Sequence, residues 1–188
     1  PVFITLVRNL FPNAKFIHLY RDPRSVYASQ SNNLTSSSGK KFSSNIIKFS
    51  KVWISNYIFN KDLEQKNPKI FFRLKYEEFI LSNEKSLKKL LKFINVTYED
   101  LNSKSTYSLK IPKSQITLHK NIDNKPQSSR INVWKETLNN SEIYIIQKIC
   151  RKVFIKNEYS RIQVNKSYSF FYNMIINYKD YYLSNFIK

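Results

Sequence analysis

The junction at residues 16–30, FIHLYRDPRSVYASQ, constrains the fold of this chain more than any other part of its sequence. Phe16–Tyr20 is an apolar run that predicts a strand buried on both faces, as in a parallel sheet covered by helices. Arg21 follows at once. Asp22 and Pro23 then predict a helix start, with the aspartate as N-cap and the proline at the first helical position. A buried strand that passes directly into a helix is typical of an α/β fold.

The rest of the chain continues this alternation of helices and strands. The pattern predicts a helix over about 44–63, a buried strand at 70–74, an amphipathic helix at 83–94 and a further helix at 141–154. Residues 2–11 are a helix-like apolar segment, and residues 32–42 and 105–126 read as loops. Together these elements predict an α/β sandwich with a mainly parallel sheet, whose ligands bind at the carboxyl ends of the strands.

Composition excludes several classes of site. The 188 residues contain one glycine, Gly39, so Gly-rich phosphate loops are absent from this chain. The sole cysteine, Cys150, excludes an internal disulfide and predicts a core cysteine. The net charge of +19 favours polyanionic partners, although a lysine-rich solvated surface explains it equally well. We find no signal peptide and no unbroken apolar run of about 20 residues.

Arg21 stands where a phosphate could be held. A helix N-terminus carries free N–H groups and about half a positive charge. A guanidinium adds a planar fork that suits bidentate phosphate contact. Ser29 lies about two helical turns further on and adds a hydroxyl. The alternative is a surface arginine paired with Asp22 or Glu77.

Three stretches resemble blocks of the sulfotransferase family. FIHLYRDPRSVYASQ resembles its 3'-phosphate-binding segment, a strand that ends in Arg, then Asp or Asn and Pro, with Ser eight places after the Arg. FFRLKYEEFILSNEKSLKKLLKFINV resembles the block of strand, short helix and amphipathic helix that follows. KPQSSRINVWKETLNNSEIYIIQKIC resembles the late cofactor loop with its closing helix. The three blocks occur in family order over about 140 residues.

The resemblance implies which residues bind the nucleotide. Arg21 and Ser29 would hold the 3'-phosphate of 3'-phosphoadenosine 5'-phosphosulfate, and Tyr76 would lie near the nucleotide. Ser128 and Arg130 would reach it from the late loop, unless that loop is simply solvated. No metal is implied. The fold implied is a P-loop-NTPase-like three-layer sandwich, incomplete at its N-terminus.

Two parts of the family pattern have no counterpart in the chain. The 5'-phosphosulfate loop and the general base, a His or Glu, are expected upstream of Pro1, so the catalytic residues are unknown. We therefore expect a C-terminal fragment, with a sulfotransferase domain over residues 1–165 and an aromatic-rich tail over 166–188. Such a fragment is expected to be inactive alone.

Arg-Asp-Pro-Arg resembles the Golgi carbohydrate branch more than the cytosolic branch, which favours Arg-Asn-Pro-Lys. The resemblance thus implies sulfuryl transfer to a carbohydrate hydroxyl on the lumenal side of the Golgi membrane, with any membrane anchor upstream. A protein-tyrosine or small-molecule sulfotransferase, cytoplasmic in location, is the alternative. A basic nucleic-acid-binding module is the alternative from another class, although no nucleic-acid motif is present.

The remaining polar residues carry weaker signals. His18 is expected to be a core histidine and His119 incidental, since no metal-ligand spacing surrounds it. Glu77 and Glu78 are expected to be structural. Four N-glycosylation triplets suit a glycosylated enzyme of the secretory pathway, but a chain rich in Asn, Ser and Thr contains such triplets by chance as well. They begin at Asn33, Asn95, Asn139 and Asn165.

Overall fold

The computed structural model describes residues 2–32, 45–97, 127–156 and 158–164. Helices and strands follow in the order α1 (Val2–Leu10), β1 (Phe16–Tyr20), α2 (Pro23–Asn32), α3 (Ile46–Lys66), β2 (Phe71–Lys75), α4 (Tyr76–Leu81), α5 (Asn83–Ile94), a 3-10 helix (Ser128–Ile131), α6 (Trp134–Thr137), α7 (Asn140–Ile149) and α8 (Arg151–Ile155). Several predicted features lie outside the described residues. They are the predicted loop around Gly39, the predicted 105–126 loop with His119, the triplets at Asn33 and Asn165, and the 166–188 segment.

The chain divides into two compact units. The first unit contains Pro1–Arg21 and Tyr57–Ser128, and the second contains Asp22–Asn56 and Ser129–Lys188. Helix α3 contributes its first half to the second unit and its last part to the first. Among the described residues, no helix combines the length and the apolar character that crossing a membrane requires.

In the first unit, β1 and β2 form a parallel two-stranded sheet. Phe16 pairs with Phe71, and Tyr20 pairs with Lys75 at the other end of the register. Two parallel strands cannot be joined by a tight turn, so α2 and α3 form the connection between them. The mixed helix and strand class and the parallel pairing were predicted from the sequence. Strand β2 begins one residue later than predicted, and α3 is shifted by two or three residues.

The two faces of β1 differ in exposure, which corrects the prediction that both are buried. On one face, Phe16 stacks on Phe71 with ring centroids 4.9 Å apart, and Tyr20 meets Tyr57 of α3 edge-on at 5.6 Å. On the other face, Ile17 is 46% exposed and Leu19 is 55% exposed. The apolar run is continuous in sequence, but the alternation of a strand sends its residues to both faces, and packing covers one of them.

Helix α5 packs along β2 through its apolar face, as its periodicity predicts. Phe93 stacks on Phe72 at 5.2 Å. Lys15 lies over the Phe93 ring with Nζ 5.2 Å from the centroid, and its ammonium donates to the Phe93 carbonyl. The helix ends at Asn95, which adopts the left-handed conformation, with φ 62° and ψ 41°. Asparagine tolerates this conformation better than most residues, so the C-cap has a local sequence cause.

In the second unit, α2 begins as predicted. The Asp22 carboxylate accepts the backbone N–H of Arg24 at 2.8 Å, and the first intrahelical bond runs from Val26 N–H to the Asp22 carbonyl at 3.0 Å. Asp22 is therefore the N-cap, and Pro23 occupies the first helical position, where no N–H is needed.

The core of the second unit is built around a buried arginine whose burial was not predicted from the sequence. Arg24 is 2% exposed. Its Nε and Nη2 donate to the Asp22 carboxylate at 3.0 and 2.6 Å. Its guanidinium carbon lies 3.8 Å from the Trp134 ring centroid and 4.8 Å from that of Phe154. Ion pairing in the guanidinium plane and ring contacts against its faces make this buried charge tolerable.

Gln147 extends this network to the end of the described chain. Its Oε1 accepts from Arg24 Nη1 at 3.1 Å and from the backbone N–H of Ile162 at 2.9 Å. Its Nε2 donates to the Ile162 carbonyl at 3.0 Å. The buried amide thus makes three hydrogen bonds, which tie α7 both to the start of α2 and to the segment after α8.

The helix predicted over 141–154 is broken in two at Cys150. Asn139 and Glu142 form a capping box at the start of α7, whereas Cys150 closes that helix with φ −86° and ψ 19°. The Val153 N–H bonds back to the Cys150 carbonyl at 3.1 Å, a tighter turn than that of an α-helix. The thiol is fully buried and donates to the Ser50 carbonyl at 3.5 Å. The prediction of a core cysteine is confirmed.

Removing the Arg24 side chain should destabilise the second unit strongly. Arg24→Met breaks the buried ion pair with Asp22 and removes the hydrogen bonds that the guanidinium donates to its carboxylate, which typically costs about 3–5 kcal/mol. Urea unfolding of the chain measures this loss. Asp22→Asn in the same molecule should restore part of it. Arg151→Met, at an exposed position of α8, is the matched control and should change stability by about 0.5 kcal/mol or less. Equal losses for the two arginines would contradict the structural role of Arg24.

Cys150 should be unreactive while the chain is folded. Burial first, and the Asp22 carboxylate second, raise the pKa of the Cys150 thiol from 9.0 to about 12. The nucleophilic thiolate is therefore scarce at pH 8. A disulfide reagent should label Cys150 slowly in the native chain and rapidly in urea. A Lys156→Cys variant should add one thiol that reacts at once, since Lys156 is exposed. Fast labelling of Cys150 in the native wild type would contradict this packing.

Candidate functional site

Arg21 and Tyr76 meet at the carboxyl-end edge of the sheet. Because Tyr20 and Lys75 are paired at the ends of parallel strands, the next residue of each chain segment leaves the sheet at the same edge. The guanidinium carbon of Arg21 lies 4.4 Å from the centroid of the Tyr76 ring. This is a close cation–π contact, and both side chains are half-buried. The structure thus brings together two residues that the family resemblance assigns to the nucleotide site.

Tyr76 is held there because β2 passes into α4 without a loop. Lys75 ends the strand with extended dihedral angles, and Tyr76 opens the helix. Glu77 and Glu78 fill the first turn of α4, where negative charge is favourable. Glu77 is buried. This placement agrees with a structural role for the two glutamates.

A second arginine supports the edge from inside the unit. The Arg73 guanidinium contacts two rings, with its carbon 4.4 Å from the Tyr20 centroid and 4.6 Å from the Tyr57 centroid. Glu64 of α3 accepts the Arg73 backbone N–H at 3.0 Å and lies 3.7 Å from Arg73 Nη1. Tyr20 immediately precedes Arg21, so this packing fixes the end of β1 from which Arg21 departs.

His18 lies beside this cluster and behaves as a packing residue. Its ring is 6.0 Å from that of Tyr20, and its buried Nδ1 has no hydrogen-bond partner among the residues that the structure describes. Burial, and secondarily the Arg73 charge, lower the pKa of His18 below its usual 6.5. A neutral ring is therefore favoured near neutral pH. The expectation of a core histidine fits this geometry better than a ligand role does.

In the second unit, Ser29 lies on the exposed side of α2. Ser25 lies one helical turn before Ser29, and there the helix is covered. Ser25 is buried and donates to the Ile131 carbonyl at 2.9 Å. Ile131 ends the 3-10 helix on which Ser128 and Arg130 are both exposed. The Ser25 bond thus joins the Ser29 face of α2 to the segment that contains Arg130.

The amino end of α2 differs from a simple anion site. The Asp22 carboxylate already accepts a helix N–H, and Arg24 neutralises it. The free N–H groups and the dipole therefore offer less to a phosphate than the sequence suggested, and direct recognition would depend on Arg21 and Ser29. Sequence reasoning missed Arg24, although the second arginine of Arg-Asp-Pro-Arg, two residues after the cap, was a signal for this pairing.

The predicted nucleotide residues are distributed over both units. Arg21, Tyr76 and Ser128 belong to the first unit, whereas Ser29 and Arg130 belong to the second. The structure brings Arg21 onto Tyr76. The assignment of all five residues to nucleotide binding stays a prediction. Within the described ranges, no group of three or more His, Cys, Asp or Glu side chains is arranged to hold a metal ion.

Comparison with known proteins decides the family. A family model described as the sulfotransferase family matches residues 2–100, more than half of the chain. The chain belongs to the sulfotransferase family. The matched part contains Arg21, Ser29 and Tyr76, and it ends before Ser128 and Arg130. No curated protein and no solved structure matches the chain.

The lowered pKa of His18 should appear as a pH dependence of folding. Above pH 6.5 the ring is neutral in both the folded and the unfolded chain. As the pH falls below 6.5, the unfolded chain binds a proton that the folded chain resists, so stability is lost. His18→Gln should remove this part of the loss. Urea unfolding at pH 7.5 and pH 5.5 should therefore show a smaller decrease for the variant, and equal decreases would contradict the assignment.

Proposed function

We propose that this chain forms the 3'-phosphate-binding part of a sulfotransferase that moves a sulfuryl group from 3'-phosphoadenosine 5'-phosphosulfate to a hydroxyl on a carbohydrate. The observation that carries the proposal is the contact of Arg21 with Tyr76 at the carboxyl-end edge of a parallel sheet, inside the region matched by the family. Ligands of open α/β sheets bind at that edge.

Arg21 and Ser29 are proposed to bind the 3'-phosphate. A guanidinium stacked on a ring uses its face for the ring, while its N–H donors lie in its plane, so one side chain can bind a ring and an anion together. Ser29 adds an exposed hydroxyl. Tyr76 fixes the Arg21 plane and lies close to where the nucleotide would bind. Ser128 and Arg130 are proposed as further contacts from the late loop.

Sulfuryl transfer also needs a base and cationic groups around the transferred sulfate, in addition to nucleotide binding. A base must take the proton of the acceptor hydroxyl, and cationic groups must stabilise charge on the transferring and leaving oxygens. The family resemblance places the base and the 5'-phosphosulfate loop before Arg21, and none of the described residues is assigned to either task. We therefore propose that the 188 residues alone give no turnover. Incubation with labelled sulfate donor and a set of glycans, tyrosine peptides and phenols checks this directly.

The acceptor and the location follow from the motif alone. Arg-Asp-Pro-Arg resembles the Golgi carbohydrate branch and so supports a carbohydrate acceptor and the lumenal side of the Golgi membrane. Membership of the family supports a P-loop-NTPase-like three-layer sandwich in the whole domain. A tyrosine or small-molecule acceptor is the alternative within the family. The triplets at Asn95 and Asn139 both begin at helix caps. Glycosylation of the protein stays a prediction.

Arg21→Ala should weaken binding of adenosine 3',5'-bisphosphate by about 2–4 kcal/mol, because the variant loses a charge-assisted contact. Ser29→Ala should cost about 1 kcal/mol. Adenosine 5'-phosphate lacks the 3'-phosphate and should bind the wild type and Arg21→Ala equally. Calorimetry with both nucleotides measures these differences.

The matched control for this experiment is Arg151→Ala, which removes the same charge from an exposed position. It should bind both nucleotides as the wild type does. Equal weakening of both nucleotides by Arg21→Ala would mean that Arg21 supports the fold and not the 3'-phosphate. A wild-type chain that does not prefer the bisphosphate would contradict the proposed site.

A further inference from the structure

One face of α5 carries a row of lysines. Lys85, Lys88, Lys89 and Lys92 follow the spacing i, i+3, i+4 and i+7, so their side chains lie on one side of the helix over two turns. All four are exposed. The row spans about 10 Å along the helix axis at 1.5 Å per residue. Glu84 pairs with Lys88, and the face as a whole stays strongly positive. We call these four residues the α5 lysine row.

The opposite face of α5 is committed to packing. Leu87, Leu91 and Ile94 are half-buried, and the helix contacts α4 and β2. Phe93 stacks on Phe72 of the strand. Because the apolar side of the helix is covered by its own unit, α5 cannot insert that side into a bilayer as an interfacial amphipathic helix does.

A shallow depression of about 600 Å³ adjoins the row. Its lining contains a hydroxyl, an amide, a carboxylate and ammonium groups, from Ser82, Asn83, Glu84, Lys85, Lys88 and Lys89. None of the described residues that line it is aromatic, so this part of the lining offers no surface on which nucleic-acid bases would stack. Hydroxyl, amide and carboxylate groups beside cations suit a ligand that combines sugar hydroxyls with negative charge.

The row starts close to the edge of the sheet that holds Arg21. Phe93, near the end of α5, packs on Phe72, near the start of β2. Ser86, near the start of α5, donates to the Glu78 carbonyl of α4 at 3.2 Å. The start of α5, with Lys85, therefore lies toward the carboxyl end of β2. From that end α4 departs with Tyr76, which carries Arg21 on its ring.

We propose that the α5 lysine row binds an anionic glycan, a polysaccharide that already carries sulfate or carboxylate groups. This proposal rests on the proposed function, and it identifies the acceptor as a charged polysaccharide that binds along α5. Each lysine meets an anionic substituent of the chain, and the depression accommodates the neighbouring sugar hydroxyls. An exposed ion pair contributes little by itself, but four on one helix face act together on a repeating polyanion.

The test measures binding of the 188-residue chain to immobilised heparin as a sulfated glycan. One variant changes the α5 lysine row to glutamine at all four positions. The matched control changes four exposed lysines outside α5 to glutamine, Lys48, Lys69, Lys135 and Lys152, so that both variants lose the same charge. The α5 variant should bind heparin about tenfold more weakly or worse, and the control should stay within about threefold of the wild type.

Three further ligands separate the sources of binding. Uncharged dextran should not bind. Single-stranded DNA of comparable charge and anionic phosphatidylserine vesicles should bind the α5 variant and the control variant equally. Equal losses of heparin binding by the two variants would overturn the proposal in favour of net charge. A loss confined to DNA or to vesicles would overturn it in favour of that partner.

Nucleotide binding separates this proposal from the function on which it rests. The α5 variant should bind adenosine 3',5'-bisphosphate as the wild type does, since none of the four lysines belongs to the proposed nucleotide site. If the wild type binds heparin through α5 but shows no preference for the bisphosphate, the proposed function fails and the glycan surface stands. If the wild type prefers the bisphosphate but does not bind heparin through α5, the proposed glycan surface is overturned and the proposed function stands.

Discussion

The ion pair between Arg24 and Asp22 is the constraint on which the second unit depends. A buried guanidinium is tolerable because each of its surfaces is used, the carboxylate and Gln147 in its plane and the rings of Trp134 and Phe154 against its faces. The same carboxylate caps α2. One pair of charges therefore starts a helix and anchors it to α6, α7 and α8, and removing either charge breaks a buried ion pair.

The motif Arg-Asp-Pro-Arg divides its two arginines between different tasks. Arg24 is enclosed by its own unit, whereas Arg21 lies half-buried on Tyr76 at the edge of the sheet. A substitution at Arg24 would lower ligand binding by unfolding the chain, and a substitution at Arg21 should lower it by removing a contact. Substitutions of both arginines are expected to weaken ligand binding, but for unrelated reasons. Binding measurements on variants of this motif must therefore be interpreted together with measurements of their stability.

Local patterns allowed the sequence to predict most helices and both strands. The Asp22 cap, the Pro23 position and the amphipathic period of α5 each depend on a few neighbouring residues, so they could be read directly. The exposure of Leu19, the break at Cys150 and the burial of Arg24 depend on packing between distant segments, which no local pattern encodes. The position of Arg21 and Tyr76 at one edge of the sheet could be derived from the sequence, because parallel strands bring their carboxyl ends to the same edge.

The charge of +19 gains a structural meaning once the cations are sorted by environment. Arg24 and Arg73 contact aromatic rings and pair with carboxylates, so they add little to the field outside the protein. The exposed lysines create that field, and in α5 the helical period gathers four of them on one face. A composition count cannot separate these roles. Only the exposed and aligned cations favour a polyanion, because electrostatic attraction is screened over about 8 Å in physiological salt and therefore depends on local arrangement more than on total charge.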